Sequence, residues 1–142
     1  LIGLNIATAI VEQVGRGGFR SLSAEQRRQL GVNSCDVSPR YADVLHRLTG
    51  RPLGSAAFAN FCEAQIVWDA AMARTIADFL RARPDHVVLV FCGSFHAWRH
   101  GIPGRLATIT DVPVKIILPS GDDSQQRYDI LREDADYIWW NQ

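Results

Sequence analysis

The sequence has no excess of charge and no long apolar run. Lys and Arg together number 15, as do Asp and Glu, so the formal net charge is zero. A neutral domain has no general electrostatic attraction for nucleic acid or for an anionic membrane surface. No apolar run approaches the ~20 residues that a membrane-spanning helix needs. These absences argue against a nucleic-acid partner and against a membrane span within this chain.

Cysteine is scarce, and the common catalytic motifs are missing. Cys35, Cys62 and Cys92 lack metal-binding spacing, and we interpret them as small buried residues, although one disulfide with one free thiol is also compatible with their number. The chain has no nucleophile elbow with a Ser–His–Asp order, no phosphate-binding glycine loop and no dinucleotide fingerprint. The sequence therefore provides no set of catalytic residues.

Apolar runs of strand length alternate with stretches of helical pattern. Clusters of β-branched and aromatic residues predict strands at residues 1–6, 87–92, 114–118 and 137–140. The longest predicted helix covers residues 56–81, an Ala-rich stretch without Gly or Pro. The uninterrupted run at 87–92 is typical of a strand that is covered on both faces. The alternation predicts the α/β class, as a layered fold with a mainly parallel sheet flanked by helices.

The long predicted helix carries two polar residues on its apolar stripe. At 100° per residue one face collects Phe61, Gln65, Trp68, Asp69, Met72, Ile76 and Phe79. A carboxylate on the core side of a helix is costly unless it is paired or partly hydrated. Asp69 is therefore expected either to form a buried pair, with Arg105 as one partner, or to border a cavity with Gln65. Trp68 and Met72 fit core packing or the apolar wall of a ligand site.

Two histidines follow the apolar run that ends at Gly93. Ligands of open α/β sheets bind beyond the carboxyl ends of the strands, which is where His96 is expected. Gly93 would permit a tight turn and a close approach there. If the turn is helical, His96 and His100 share one face at a spacing that can bind a metal, although two nitrogens alone are a weak signal. Arg99 and Arg105 are candidates for binding an anion.

Four stretches together resemble the ChaN family of haem-binding, iron-regulated proteins, in a superfamily with the Tiki, TraB and erythromycin-esterase-like proteins. They are LIGLNIATAIVEQVGRGGFRSLS, EAQIVWDAAMARTIADFL, VVLVFCGSFHAWRHGIPGRL and ADYIWWNQ. They span almost the whole chain in the family's order. The family's first strand and its Gly-Glu-x-His block have no counterpart here. Residues 1–142 are therefore expected to be one ChaN-like domain that lacks its N-terminal portion.

The resemblance implies a bacterial haem-binding protein of iron uptake, located in the cell envelope, that binds haem or a similar flat anionic ligand as a homodimer. The ligand-binding residues would be Gln65, Asp69, Met72, Gly93, His96 and Arg105. The family uses a tyrosine as the iron ligand, for which Tyr41, Tyr128 and Tyr137 are the candidates.

Two alternatives remain open beside haem binding. The Tiki relatives imply metal-dependent peptide hydrolysis, which in that branch also involves a glutamate. That branch uses two Gly-x-x-His motifs, and only Gly93–His96 is present here. Zinc catalysis needs about three protein ligands and an open position, so half of the set is missing. The second alternative is a non-catalytic interaction domain.

Overall fold

A computed structural model of the chain describes residues 1–32, 34–119 and 130–139. Its helices are α1 (Thr8–Gly17), α2 (Ala24–Leu30), α3 (Pro39–Thr49), α4 (Ala56–Ala82), α5 (Ser94–Ala97) and α6 (Ile102–Leu106), with a 3₁₀ turn at Phe19–Ser21. The strands are β1 (Ile117–Pro119) and β2 (Tyr137–Trp139). The described residues thus form a helix-rich α/β structure with a small parallel sheet.

Serine side chains cap the N-termini of three helices. Ser23 and Gln26 have the spacing of a capping box in the sequence, and the structure confirms both of its bonds at the start of α2. The hydroxyl of Ser38 accepts from the Tyr41 N–H at the start of α3, and that of Ser55 accepts from the Phe58 N–H at the start of α4. The predicted long helix is confirmed and ends one residue later than expected, shortly before Pro84.

Helix α4 is the element on which the other elements pack. Its first half contributes to the main core, where it meets α1, α3 and the buried side chains of β1. Its second half contributes to a smaller α6 cluster, which consists of Met72, Ala73, Ile76, Ala77, Ile102 and Leu106. Because both faces of the helix are used, its Ala-rich composition allows neighbouring elements to approach closely.

The predicted four-stranded sheet is wrong for two of its members. Residues 1–6 and 87–92 carry no strand assignment, and no main-chain hydrogen bond joins either segment to another described residue. The predicted strand at 114–118 is found at Ile117–Pro119, and the last strand is confirmed at Tyr137–Trp139, while Trp140 lies outside the described residues. A β-branched run becomes a strand only when a neighbouring strand donates to it and accepts from it, and no described residue does so for segment 87–92.

Segment 87–92 is also exposed rather than covered on both faces. Val88 and Cys92 pack against the α6 cluster, whereas Val87, Leu89 and Phe91 point away from it and are exposed. The same alternation continues in residues 112–118, whose even-numbered members face the helices. The described helices therefore cover only one side of the layer that residues 87–92 and 112–118 form.

A disulfide between Cys35 and Cys62 fastens the loop before α3 to the buried side of α4. Of the two interpretations that the sequence left open, the structure has one disulfide with one free thiol, and Cys92 is the free thiol. The stretch between the bridged residues contains Ser38, Arg40 and Tyr41, and all three contact the turn after segment 87–92. The disulfide therefore helps to hold that turn in place.

We expect the double substitution Cys35→Ser/Cys62→Ser to lower the free energy of unfolding by about 3–4 kcal/mol, as loop closure predicts for a bridge of this span. Chemical denaturation without reductant measures the change. Dithiothreitol should destabilise the parent to a similar extent and leave the double variant unaffected. Three reactive thiols in the unfolded, unreduced parent would contradict the bond.

Candidate functional site

The buried carboxylate of Asp69 forms a hydrogen bond with the imidazole of His96. Asp69 is 2% exposed, and its Oδ1 lies 2.6 Å from Nδ1 of His96. The edge of the Trp68 ring packs on the same imidazole, with 5.4 Å between ring centroids. When the imidazole is neutral, a proton on Nδ1 donates to the carboxylate and Nε2 is left with a free lone pair. The pair thus presents one oriented nitrogen base.

The turn that carries His96 depends on a close backbone approach at Gly101. The Gly93 carbonyl accepts from the His96 N–H at 3.0 Å and starts the short helix α5. A Cβ added at Gly101 would lie 2.5 Å from the His96 carbonyl oxygen and 2.8 Å from that of Phe95. The sequence analysis expected a close approach at Gly93 instead. That assignment is wrong, because Gly93 has φ −61° and a Cβ there would meet only the His96 ring, at 3.8 Å.

Burial sets the protonation of the groups around Asp69. Burial raises the pKa of the Asp69 carboxyl, while the hydrogen bond from His96 and the charges of His96 and Arg105 oppose that rise. Burial raises the pKa of the Cys92 thiol, and the Asp69 charge adds to the effect. Burial also raises the pKa of Tyr41, whose hydroxyl has no hydrogen-bond partner among the described residues. The phenol and the thiol are therefore neutral at physiological pH.

An apolar groove of about 600 Å³ runs from His96 along α4. Its floor is the side of α4 that carries Trp68, Met72, Thr75, Ile76 and Phe79, and its walls are residues 1–5 and 87–93. The guanidinium of Arg83 and the ring of His86 pack on Phe79, at 5.6 and 5.7 Å from its centroid. The groove thus has the His96 imidazole near Trp68, while Arg83 lies next to its Phe79 without being part of the lining.

The structure brings together only some of the residues predicted for the site. Met72, Gly93 and His96 line the groove, and Asp69 lies behind His96. Gln65 is buried one turn before Asp69 on α4 and is not part of the groove lining. Arg105 donates to the Asp36 carbonyl at 3.2 Å, so it affects Asp69 through space instead of forming the expected ion pair.

His100 lies in surroundings different from those of His96. Its Nε2 is 3.3 Å from the Ser38 hydroxyl, and its ring packs on that of Tyr41 at 5.8 Å. In the part of the chain that the structure describes, no group of three or more His, Cys, Asp or Glu residues is arranged to hold a metal ion. The metal site at His96 and His100 stays a prediction.

A second residue with a buried carboxylate, Asp134, also supports the turn that carries His96. It is fully buried, accepts two hydrogen bonds from Arg40 and one from the Leu131 N–H, and its carbonyl accepts from the Arg99 N–H at 3.0 Å. Burial alone would raise the pKa of this carboxyl, but the bonds from Arg40 and Leu131 outweigh it, so the pKa is lowered. No local sequence pattern indicates this contact, because Arg40 and Asp134 are 94 residues apart.

The lowered pKa means that Asp134 stabilises the fold above its unfolded pKa of about 4 and loses this effect as the pH falls through its folded pKa. We expect Asp134→Asn to cost about 2–3 kcal/mol at neutral pH and much less in strong acid, because a charged partner of Arg40 is lost. Urea denaturation as a function of pH measures this. The control Asp43→Asn removes an exposed ion pair with Arg47 and should cost under about 1 kcal/mol. Equal costs in the two variants would contradict the role of Asp134.

The family of the chain follows from its match to a family model. Within the described residues, no helix is both long and apolar enough to cross a membrane. Searches of curated proteins and of solved structures found no significant match. A family model described as haem-binding uptake, Tiki superfamily, ChaN matches residues 1–106, which include α1 to α6 and the Asp69–His96 pair. With most of its length matched, the chain belongs to this ChaN family of haem-binding uptake proteins in the Tiki superfamily.

Proposed function

We propose that this chain binds haem in the groove along α4 and that His96 is the residue that faces the iron. The observation that carries the proposal is the bond between Asp69 and His96 beside an apolar groove. When bound, haem would supply the iron that an imidazole nitrogen can ligate. The oriented Nε2 of His96 is the donor that suits this role.

The dimensions and lining of the groove fit a flat, largely apolar ligand. A volume of about 600 Å³ lies within the range of ~300–1,000 Å³ typical of small-molecule sites. Trp68, Met72, Ile76 and Phe79 supply aromatic and aliphatic surface for a macrocycle. Arg83, stacked beside Phe79, supplies a cation for a carboxylate. None of Arg83, Arg99 and Arg105 is part of the groove lining, but Arg83 stacks on a residue that is, so we assign it the role first expected of Arg99 or Arg105.

Asp69 would position His96 and tune it as a ligand. A carboxylate that accepts from Nδ1–H fixes the tautomer and the ring orientation, and it raises the basicity of Nε2. Histidine is favoured over the tyrosines expected from the family. Tyr41 is buried in the main core, Tyr137 is exposed on β2, and Tyr128 lies outside the described residues.

A role in bacterial iron uptake, as a homodimer in the cell envelope, is part of this proposal. The Cys35–Cys62 disulfide supports it, because disulfides persist in oxidising compartments such as the bacterial periplasm.

The layered fold with a mainly parallel sheet, which the sequence predicts, is also part of this proposal. It would require segments 1–6 and 87–92 to gain strands that pair with them. The Tiki-like hydrolase has less support, because His96 and His100 have separate surroundings.

Haem titration followed at the Soret band tests the proposal. We expect the parent to bind haem at micromolar concentration. His96→Ala should lose the spectral signature of histidine ligation, and its affinity for haem should fall at least tenfold. Asp69→Asn keeps the size of the side chain but removes its charge, and it should weaken binding by about 10–100-fold.

His46→Ala is the matched control. His46 bonds to the Arg51 carbonyl at 2.6 Å and does not line the groove, so its loss should leave haem affinity unchanged. Absence of binding in the parent, or equal affinity in His96→Ala and the parent, would refute the proposal.

A further inference from the structure

The Cys35–Cys62 disulfide anchors a stretch of chain that lies against the turn carrying His96. We call residues 35–41 the bridge segment and residues 94–101 the site turn. Cys62 is fully buried on α4, whereas Cys35 is only partly buried. A thiol in solution can therefore approach the bond from the side of Cys35. The bridge segment is thus tied to the core through a bond that reduction can break.

Three side chains of the bridge segment contact the site turn. The Ser38 hydroxyl lies 3.3 Å from Nε2 of His100, and the ring of Tyr41 packs on the same imidazole at 5.8 Å. The guanidinium of Arg40 lies over the Trp98 ring, 5.8 Å from its centroid. Each of these contacts is individually weak, because a partly exposed hydrogen bond or ring contact contributes little net free energy. The site turn therefore depends on the bridge segment staying where the disulfide holds it.

The bridge segment also affects the charge around the proposed iron-facing residue. The Asp36 carbonyl accepts a hydrogen bond from the guanidinium of Arg105 at 3.2 Å. Burial raises the pKa of the Asp69 carboxyl, and the charge of Arg105 opposes that rise. Because Asp69 orients His96, a movement of the bridge segment changes the surroundings of the nitrogen base in the groove.

Breaking the disulfide would loosen the bridge segment without unfolding the domain. Tyr41, Val44 and Leu45 hold α3 in the main core by apolar burial. The part of the segment before α3 has less apolar support, since Asp36 is exposed and Val37 is only partly buried. Reduction therefore frees that part of the segment, and with it the groups that reach the site turn.

We propose that the disulfide makes ligand binding at His96 redox-dependent, so that the oxidised form binds haem and reduction by a dithiol weakens the binding. The inference rests on the proposed haem site. A thiolate of the dithiol attacks Sγ of Cys35, the disulfide bond breaks, and Cys62 leaves as a thiolate that takes up a proton. The second thiol of the dithiol then closes on the first and releases Cys35 as a thiol. Two electrons and two protons pass to the protein, and the dithiol becomes a disulfide.

Redox dependence of this kind suits a protein that binds a ligand in one compartment and releases it in another. Disulfides persist in oxidising compartments, whereas the cytosol keeps thiols reduced. The coupling is reciprocal, because each equilibrium shifts the other by the same factor. If the reduced form binds haem tenfold more weakly, haem lowers the midpoint potential of the disulfide by about 30 mV.

Haem titration of the oxidised and the reduced parent tests the proposal. We expect reduction with dithiothreitol to weaken haem binding about tenfold, as loss of the residues that support a ligand typically does. Cys35→Ser/Cys62→Ser should bind haem as weakly as the reduced parent, and dithiothreitol should not change its affinity. This variant therefore controls for any action of dithiothreitol on haem itself. Equal affinities of the oxidised and the reduced parent would overturn the proposal.

His100→Ala tests whether the effect passes through the bridge segment. The substitution removes the ring that Ser38 and Tyr41 contact and leaves the disulfide intact. Reduction should therefore change the haem affinity of this variant less than it changes that of the parent. Circular dichroism checks that each form is folded. An undiminished redox effect in His100→Ala would overturn the proposed route.

NMR of the histidine side chains in the haem-free protein keeps a failure of this inference distinguishable from a failure of haem binding. Reduction should shift the imidazole resonances of His96 and His100. Those of His86, whose described contacts are with Phe79 and the Arg83 carbonyl, should stay unchanged. Chemical shifts report on the folded state, so a general loss of stability does not imitate the effect. Unshifted His96 and His100 resonances would overturn the proposal even if the parent binds haem, whereas a shift without haem binding would refute haem as the ligand and support the redox coupling.

Discussion

The burial of one carboxylate constrains the rest of this structure. Asp69 lies on the inward side of α4, where an unpaired charge would be strongly destabilising. His96 satisfies it, and this requires the chain after segment 87–92 to turn sharply back over α4. This chain reversal also requires Gly101, since any side chain there would collide with the His96 carbonyl. The polar residue in the middle of an apolar stripe thus fixes where the chain reverses and where the groove begins.

Local patterns in the sequence predicted the features that depend on near neighbours. The 100° stripe placed Asp69 among apolar residues on the buried side of α4, and the spacing of Ser23 and Gln26 marked the start of α2 correctly. The strand assignment of segment 87–92 failed, because β-branched composition reports a preference for pairing but does not supply the partner. The side chains of the segment still alternate between covered and exposed, as the composition implies.

Contacts between distant parts of the chain were beyond the reach of the sequence. Three cysteines without motif spacing do not reveal that Cys35 and Cys62 pair, because the pairing depends on how the loop before α3 meets α4. Arg105 was a reasonable partner for Asp69 by charge, yet the geometry of α6 directs its guanidinium to the Asp36 carbonyl. The sequence alone does not distinguish Gly93 from Gly101. Only the surrounding backbone shows that a Cβ would clash at Gly101 and would fit at Gly93.

The contacts of Asp134 have a consequence for the order in which the molecule forms. This residue joins the start of α3 to the turn that carries His96, although it comes 94 residues after Arg40. Contacts of such long sequence separation form late, because the entropy of closing the loop is lost before the contact can compensate for it. Helices α1 to α4 can pack as the chain emerges during synthesis, whereas the His96 turn waits for Asp134, which is synthesised after them. The ligand site is therefore expected to mature later than the helices on which it is built.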